Sequence, residues 1–180
     1  GLDARIVNVV RARRGAAAVP VLPAGKGWLL IELCGDDAAE VAVRADAALT
    51  AADAMQGWVV GDASEAAALW KIREDGAGLA ARATDPAGKS GWEDAAVPPE
   101  HLGSYLREFE ALMAERELTG VPYGHFGDGC IHIRINFPLG RADGRAVFRE
   151  FLTDAAKLVA GYGGSMSGEH GDGRARGELL

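Results

Sequence analysis

Cysteine is scarce in this chain, with two, Cys34 and Cys130, in 180 residues. They form no Cys-x-x-Cys pair, so the chain carries neither a disulfide framework nor the cysteine series of an iron–sulfur module. That usage fits a reducing cytoplasm, where we expect the protein to reside. Long apolar runs are missing too. None approaches the roughly 18 residues of a membrane span, and no signal peptide is evident. Basic charge is in deficit, with 19 Lys and Arg against 26 Asp and Glu and a net charge of −7. The one basic cluster, Arg11, Arg13 and Arg14, reads as an exposed helix end. A nucleic-acid role is therefore not expected. The chain does not start with methionine and opens in a helical pattern, so we expect a segment cut from a longer protein.

What is present is a globular composition, 48% hydrophobic and 25% charged. The length suits one domain or two small subdomains, and the punctuation suggests 1–83 and 84–180. Residues 2–14 read as a helix. A Gly/Pro loop precedes an apolar run, Trp28 to Leu33, which reads as a buried strand. Asp36 or Asp37 caps a helix over 38–54. A short strand is expected over 57–60, then a helix capped by Asp62 or Ser64 and ending near Gly76 or Gly78. After a polar stretch, 84–91, the pattern restarts. It gives a strand 92–97, a helix from Pro99 to about Glu117, strands over 121–126 and 130–137, a turn at 141–144 and a helix 145–160. Strand-helix-strand occurs twice. The expected fold class is α+β, an antiparallel sheet with helices on one face, as a duplicated ferredoxin-like unit.

Three of the four histidines lie in two glycine-rich segments. The first is His125-Phe126-Gly127-Asp128-Gly129-Cys130-Ile131-His132. The second, Gly163 to Gly173, contains Gly168-Glu169-His170-Gly171. Histidine and carboxylate ligate metals and move protons, and glycine permits close backbone approach or positive φ. With a turn of 127–130, Phe126 opposes Ile131 and His125 opposes His132, so two imidazoles share a face. Alternation agrees: Ile131, Ile133 and Ile135 face one way, and His132, Arg134 and Asn136 the other. Adjacent Glu169 and His170 point apart, so one can bind a metal while the other serves as acid or base. Trp70 and Arg73 share a helix face, and an arginine can fork onto a carboxylate.

Trp70-Lys71-Ile72-Arg73-Glu74, the hairpin motif with His132, and Ser167-Gly168-Glu169-His170-Gly171 together resemble the C-terminal cap domain of FAD-linked oxidases. That family includes D-lactate dehydrogenase, D-2-hydroxyglutarate dehydrogenase and the glycolate oxidase flavin subunit. The resemblance covers nearly the whole chain. The hairpin variants look most like long bacterial members that carry an iron–sulfur module. It implies a domain that covers the flavin of an FAD-dependent enzyme oxidising a 2-hydroxy acid to a 2-oxo acid. By resemblance, Arg73 grips the substrate carboxylate, helped by Lys89, with Arg134 a further substrate contact. His125, His132 and Glu169 hold a divalent metal, zinc or manganese, and His170 is the base. FAD is held by an N-terminal domain outside this chain, so the segment alone should not turn over. The electron acceptor could bring the enzyme to a membrane surface.

Two residues depart from the family pattern, which often has asparagine at the positions of Cys130 and Arg134. An arginine there would repel a cation unless an anion lies between. Either the metal is absent or Arg134 meets a second acidic group of the substrate. Two other readings stand beside this one. One is an autonomous metal-dependent hydrolase. The other is a non-catalytic ferredoxin-like module for anion binding or assembly.

Overall fold

A computed structural model describes residues 1–84, 87–171 and 173–179. It has two compact units, Gly1–Ala77 and Gly78–Leu180. The first begins with β1 (Leu2–Asp3) and α1 (Ala4–Arg14), followed by β2 (Gly27–Trp28), α2 (Ala38–Ala51) and α3 (Ala63–Leu79). The second holds β3 (Lys89–Ala96), α4 (Leu102–Ala114), β4 (Gly120–His125), β5 (Cys130–Ile135), α5 (Gly144–Gly161) and the single turn α6 (Gly173–Arg176). All paired strands are antiparallel, and the class is α+β.

Helix starts in the first unit follow side-chain capping. Asp3 accepts from the Arg5 amide, Asp37 from those of Ala39 and Glu40, and Asp62 from that of Glu65. The core here is small: Ile6, Val7 and Val10 of α1 with Leu69 and Ile72 of α3. Gly76 permits the helix contact, because a Cβ there would lie 2.5 Å from Ile6 Cγ2. Two expected strands are corrected. Of the run 28–33 only Trp28 pairs, since β1 offers two residues before α1 begins. Leu29 and Ile31 are exposed instead. Residues 57–60 form no strand, and Trp58 and Val59 lie at the surface. Apolar runs alone do not make a sheet without an edge to pair with.

The second unit is a three-stranded sheet, order β3-β5-β4, with α4 and α5 on one face. The helices bury residues at helical spacing: Leu102, Tyr105, Phe109 and Met113 from α4, and Phe151, Leu152, Ala155 and Val159 from α5. They cover Trp92, Ala95, Ile131, Ile133 and Ile135. The Trp92 indole donates to the Tyr105 hydroxyl at 3.0 Å, which satisfies its one buried polar atom. Burial of each large side chain contributes roughly 1.5–3 kcal/mol. The isoleucine face of β5 is thus committed to the core. The other face presents Cys130, His132 and Arg134.

Two bulges interrupt β3. Trp92 pairs with Ile133 and Ala95 with Ile131, so Glu93 and Asp94 together oppose His132. Asp94 absorbs the extra residue at φ 58°. Similarly, Lys89 pairs with Ile135, so Ser90 and Gly91 together oppose Arg134. The strand starts at Lys89, earlier than the polar stretch suggested; Asp85 and Pro86 of that stretch lie outside the described residues.

Candidate functional site

The β4–β5 turn consists of Phe126 to Gly129, with Gly129 left-handed at φ 67° and its amide donating to the Phe126 carbonyl at 3.1 Å. The expected pairing is therefore corrected. His125 pairs with Cys130, and His132 pairs with Tyr123. The cause is Gly129, which alone at that end of the turn tolerates positive φ. A Cβ there would also lie 1.8 Å from the Val97 carbonyl oxygen. The correction moves the register by two residues, so no side chain changes face. His125 and His132 are diagonal neighbours, with ring centroids 5.4 Å apart.

The second glycine-rich segment is fastened to β3. Ser165 and Ala96 exchange backbone hydrogen bonds of 2.8 and 2.9 Å, and the Gly168 amide donates to the Asp94 carbonyl at 2.7 Å. Gly164 makes this approach possible, since a Cβ there would stand 2.2 Å from the Ala96 carbonyl oxygen. Arg176 closes the arrangement from behind. It is buried and donates to the carbonyls of Glu93 and Met166 at 2.8 and 3.0 Å. The critical glycines here serve backbone-to-backbone packing on β3. Asp172, within the expected motif, lies outside the described residues.

The result is a cluster of imidazoles and acids on the sheet face away from the helices. His125 Nδ1 lies 3.0 Å from Glu169 Oε1. His132 Nδ1 lies 3.1 Å from Asp94 Oδ1, and His170 Nδ1 lies 2.9 Å from Asp94 Oδ2. Asp94 is fully buried, yet neither oxygen has an aligned hydrogen bond among the described residues. A buried carboxylate in that condition is costly unless something else compensates it. Three overlapping donor groups have ligand atoms within 4.8 Å of one another: Asp94, Cys130 and His132; His125, Cys130 and Glu169; Asp94, Glu169 and His170. Burial pushes the Cys130 thiol up to about 11, with the charges of Glu169, Asp94 and Asp128 adding to it. Burial also raises the Tyr123 hydroxyl.

Asp94 and Glu93 were not singled out in the sequence as site residues. One signal was available. The buried residues Trp92, Ala95 and Val97 are spaced three and then two apart, which breaks strand alternation and marks the bulge. Glu93 also bears on Arg134, whose guanidinium sits 2.6 Å from Glu93 Oε1 and donates to the Ser90 hydroxyl. An anion of the chain itself therefore stands beside this arginine. Lys89 is exposed at the start of β3. Arg73 belongs to the first unit, half-buried, with its guanidinium 5.4 Å from the Trp70 ring centroid. Four of the expected residues, His125, His132, Glu169 and His170, thus meet in one cluster with Asp94 and Cys130.

Residues 2–180 match the family model "FAD linked oxidases, C-terminal domain". The chain belongs to that family. Its relatives include the D-2-hydroxyglutarate dehydrogenase of Pantoea ananatis, 29% identical over 96% of this chain. The enzyme of the same name from Escherichia coli K12 is 30% identical over 82% of it. A D-lactate dehydrogenase from Archaeoglobus fulgidus is 35% identical over 46%. The chain spans 18%, 15% and 18% of the length of these three proteins. It is an FAD-linked oxidase C-terminal domain, matching one part of much longer dehydrogenases. Among its described residues, no helix is long and apolar enough to cross a membrane.

Proposed function

We propose that this domain supplies the substrate-facing half of an FAD-dependent dehydrogenase that converts a 2-hydroxy acid to a 2-oxo acid. The observation that carries this reading is the convergence of His125, His132, Glu169 and His170 around the buried Asp94. The family and the names of its relatives support the reaction class. His170 Nδ1 faces the buried Asp94 carboxylate and would keep its proton on that side. In His170 this leaves Nε2 as the lone pair that takes the substrate's hydroxyl proton. Asp94 holds the ring in that orientation and stabilises the imidazolium that forms.

The donor set fits a divalent cation: imidazoles and carboxylates whose ligand atoms lie within 4.8 Å of one another in overlapping groups. His125, His132 and Glu169 would hold it, on the face that His170 adjoins. When bound, FAD accepts the hydride, and the cation lowers the hydroxyl pKa. Arg73 and Lys89 are the cationic candidates for the substrate carboxylate. Glu93 pairs with Arg134, so it would offset that charge beside a cation and leave the remaining guanidinium donors for an acidic substrate. We assign FAD mainly to an N-terminal domain of the parent protein, possession of an iron–sulfur module to its C-terminal side, and the whole to the cytoplasm.

The test is stopped-flow reduction of the flavin by D-2-hydroxy acids in the full-length protein and in His170→Ala. Loss of reduction with retained substrate affinity is expected. Wild-type reduction in His170→Ala would remove the base assignment, and failure of every 2-hydroxy acid to reduce the wild-type flavin would remove the function.

A further inference from the structure

Cys130 belongs to two of the donor groups, with His132 and Asp94 in one and with His125 and Glu169 in the other, and links the two histidines of the hairpin. Its place follows from the strand pattern. It stands two residues before His132 on the same face of β5 and directly across from His125. Opposed Cβ atoms in such a pair are about 4.5–5.5 Å apart, within reach of a shared ion. The side chain is buried, as is Asp94, which offers a carboxylate oxygen to the same group.

Charge in the cluster leads to the same place. Arg134 is engaged with Glu93, and among the described residues the ion-pair partners of Asp94 and Glu169 are imidazoles. Buried carboxylates without compensation are costly, and a divalent ion removes that cost. Sulfur adds a preference among ions. Thiolate is a soft ligand that suits zinc, whereas manganese and magnesium favour oxygen.

We infer that Cys130 Sγ is a ligand of the bound cation, so that this chain builds a mixed sulfur, nitrogen and oxygen site selective for zinc over manganese. This rests on the cation reading above and goes further, by fixing a ligand and an ion where the family resemblance left zinc and manganese open. Asp94 lies in the same donor group and would offset the charge of the bound ion. An asparagine at position 130, frequent in the family pattern, would offer only an amide oxygen or nitrogen. Cys130 is thus the residue that sets the ion preference.

The experiment is X-ray absorption at the zinc edge of the full-length protein loaded with one equivalent of zinc, beside Cys130→Asn. Elemental analysis and competition between zinc and manganese run in parallel. The wild type should show a sulfur shell at about 2.3 Å, and the variant only nitrogen and oxygen at about 2.0–2.2 Å. Zinc preference over manganese should fall by about tenfold or more in the variant, in line with the penalty for disturbing even an outer ligand. Bound zinc without a sulfur shell in the wild type overturns the ligand assignment and leaves the cation reading standing. A sulfur shell that persists in Cys130→Asn also overturns it. Failure of the wild type to retain zinc overturns both. Should Cys130→Asn not fold, the wild-type sulfur shell decides alone.

Discussion

Replacing Gly164 by alanine tests whether β3 holds the His170 segment in place. The added Cβ would stand 2.2 Å from the Ala96 carbonyl oxygen and 2.9 Å from side-chain carbons of Val159 and Val97. Backbone oxygen cannot rotate away, so the segment must retreat by about an ångström. That movement breaks the two hydrogen bonds between Ser165 and Ala96. At about 1 kcal/mol each, their loss costs about 2 kcal/mol. For domains of this size this lowers Tm by roughly 4–8 °C. The catalytic effect should be larger than the structural one. Glu169 and His170 ride on the displaced backbone, and a misplacement of about 1 Å can cost about 10²-fold in rate. The assay is kcat/KM for a 2-hydroxy acid in the full-length protein, with flavin content and thermal melting measured alongside. Gly171→Ala is the control for melting, because among the described residues beyond its chain neighbours no atom lies within 4 Å of its Cβ position. A Gly164→Ala protein with wild-type turnover and melting would refute the reasoning: the segment would then not depend on contact with β3.

Other outcomes can be checked on the same protein. Asp94→Asn keeps the shape but removes the charge between His132 and His170; kcat should fall about 10²-fold or more, since imidazole orientation depends on a carboxylate partner. Steady-state kinetics decide this, and an unchanged kcat would exclude the positioning role. Arg73→Ala should mainly raise KM, in contrast to a kcat loss in His170→Ala. Phe109→Ala should destabilise the second unit by about 3–5 kcal/mol, because the ring is fully buried against Trp92, Tyr105 and Phe151. Denaturant melts followed by fluorescence would show it.

The sequence by itself determined much of the second unit. Period-two alternation in Ile131, Ile133 and Ile135 placed the histidine face of β5 opposite the core. Helical spacing in α4 and α5 identified the elements that cover that core. Capping chemistry located the helix starts at Asp37 and Asp62, within the choices the pattern allowed. These features are local, set by backbone geometry and the free energy of burying one face. Short apolar runs at 28–33 and 57–60 were misleading, because pairing needs a partner edge that local pattern does not supply.

Only the tertiary structure decided the composition of the candidate site. The hairpin register depended on which glycine took the left-handed position, and the answer set His125 beside Cys130. Asp94 and Glu93 joined the cluster because a bulge in β3 turned two consecutive acids toward His132. The contact of Glu169 with His125 required the 163–170 segment to lie against β3, dozens of residues distant in sequence. Such neighbours are fixed by non-local backbone pairing and close packing of glycine, and neither is written in the spacing of residues along the chain.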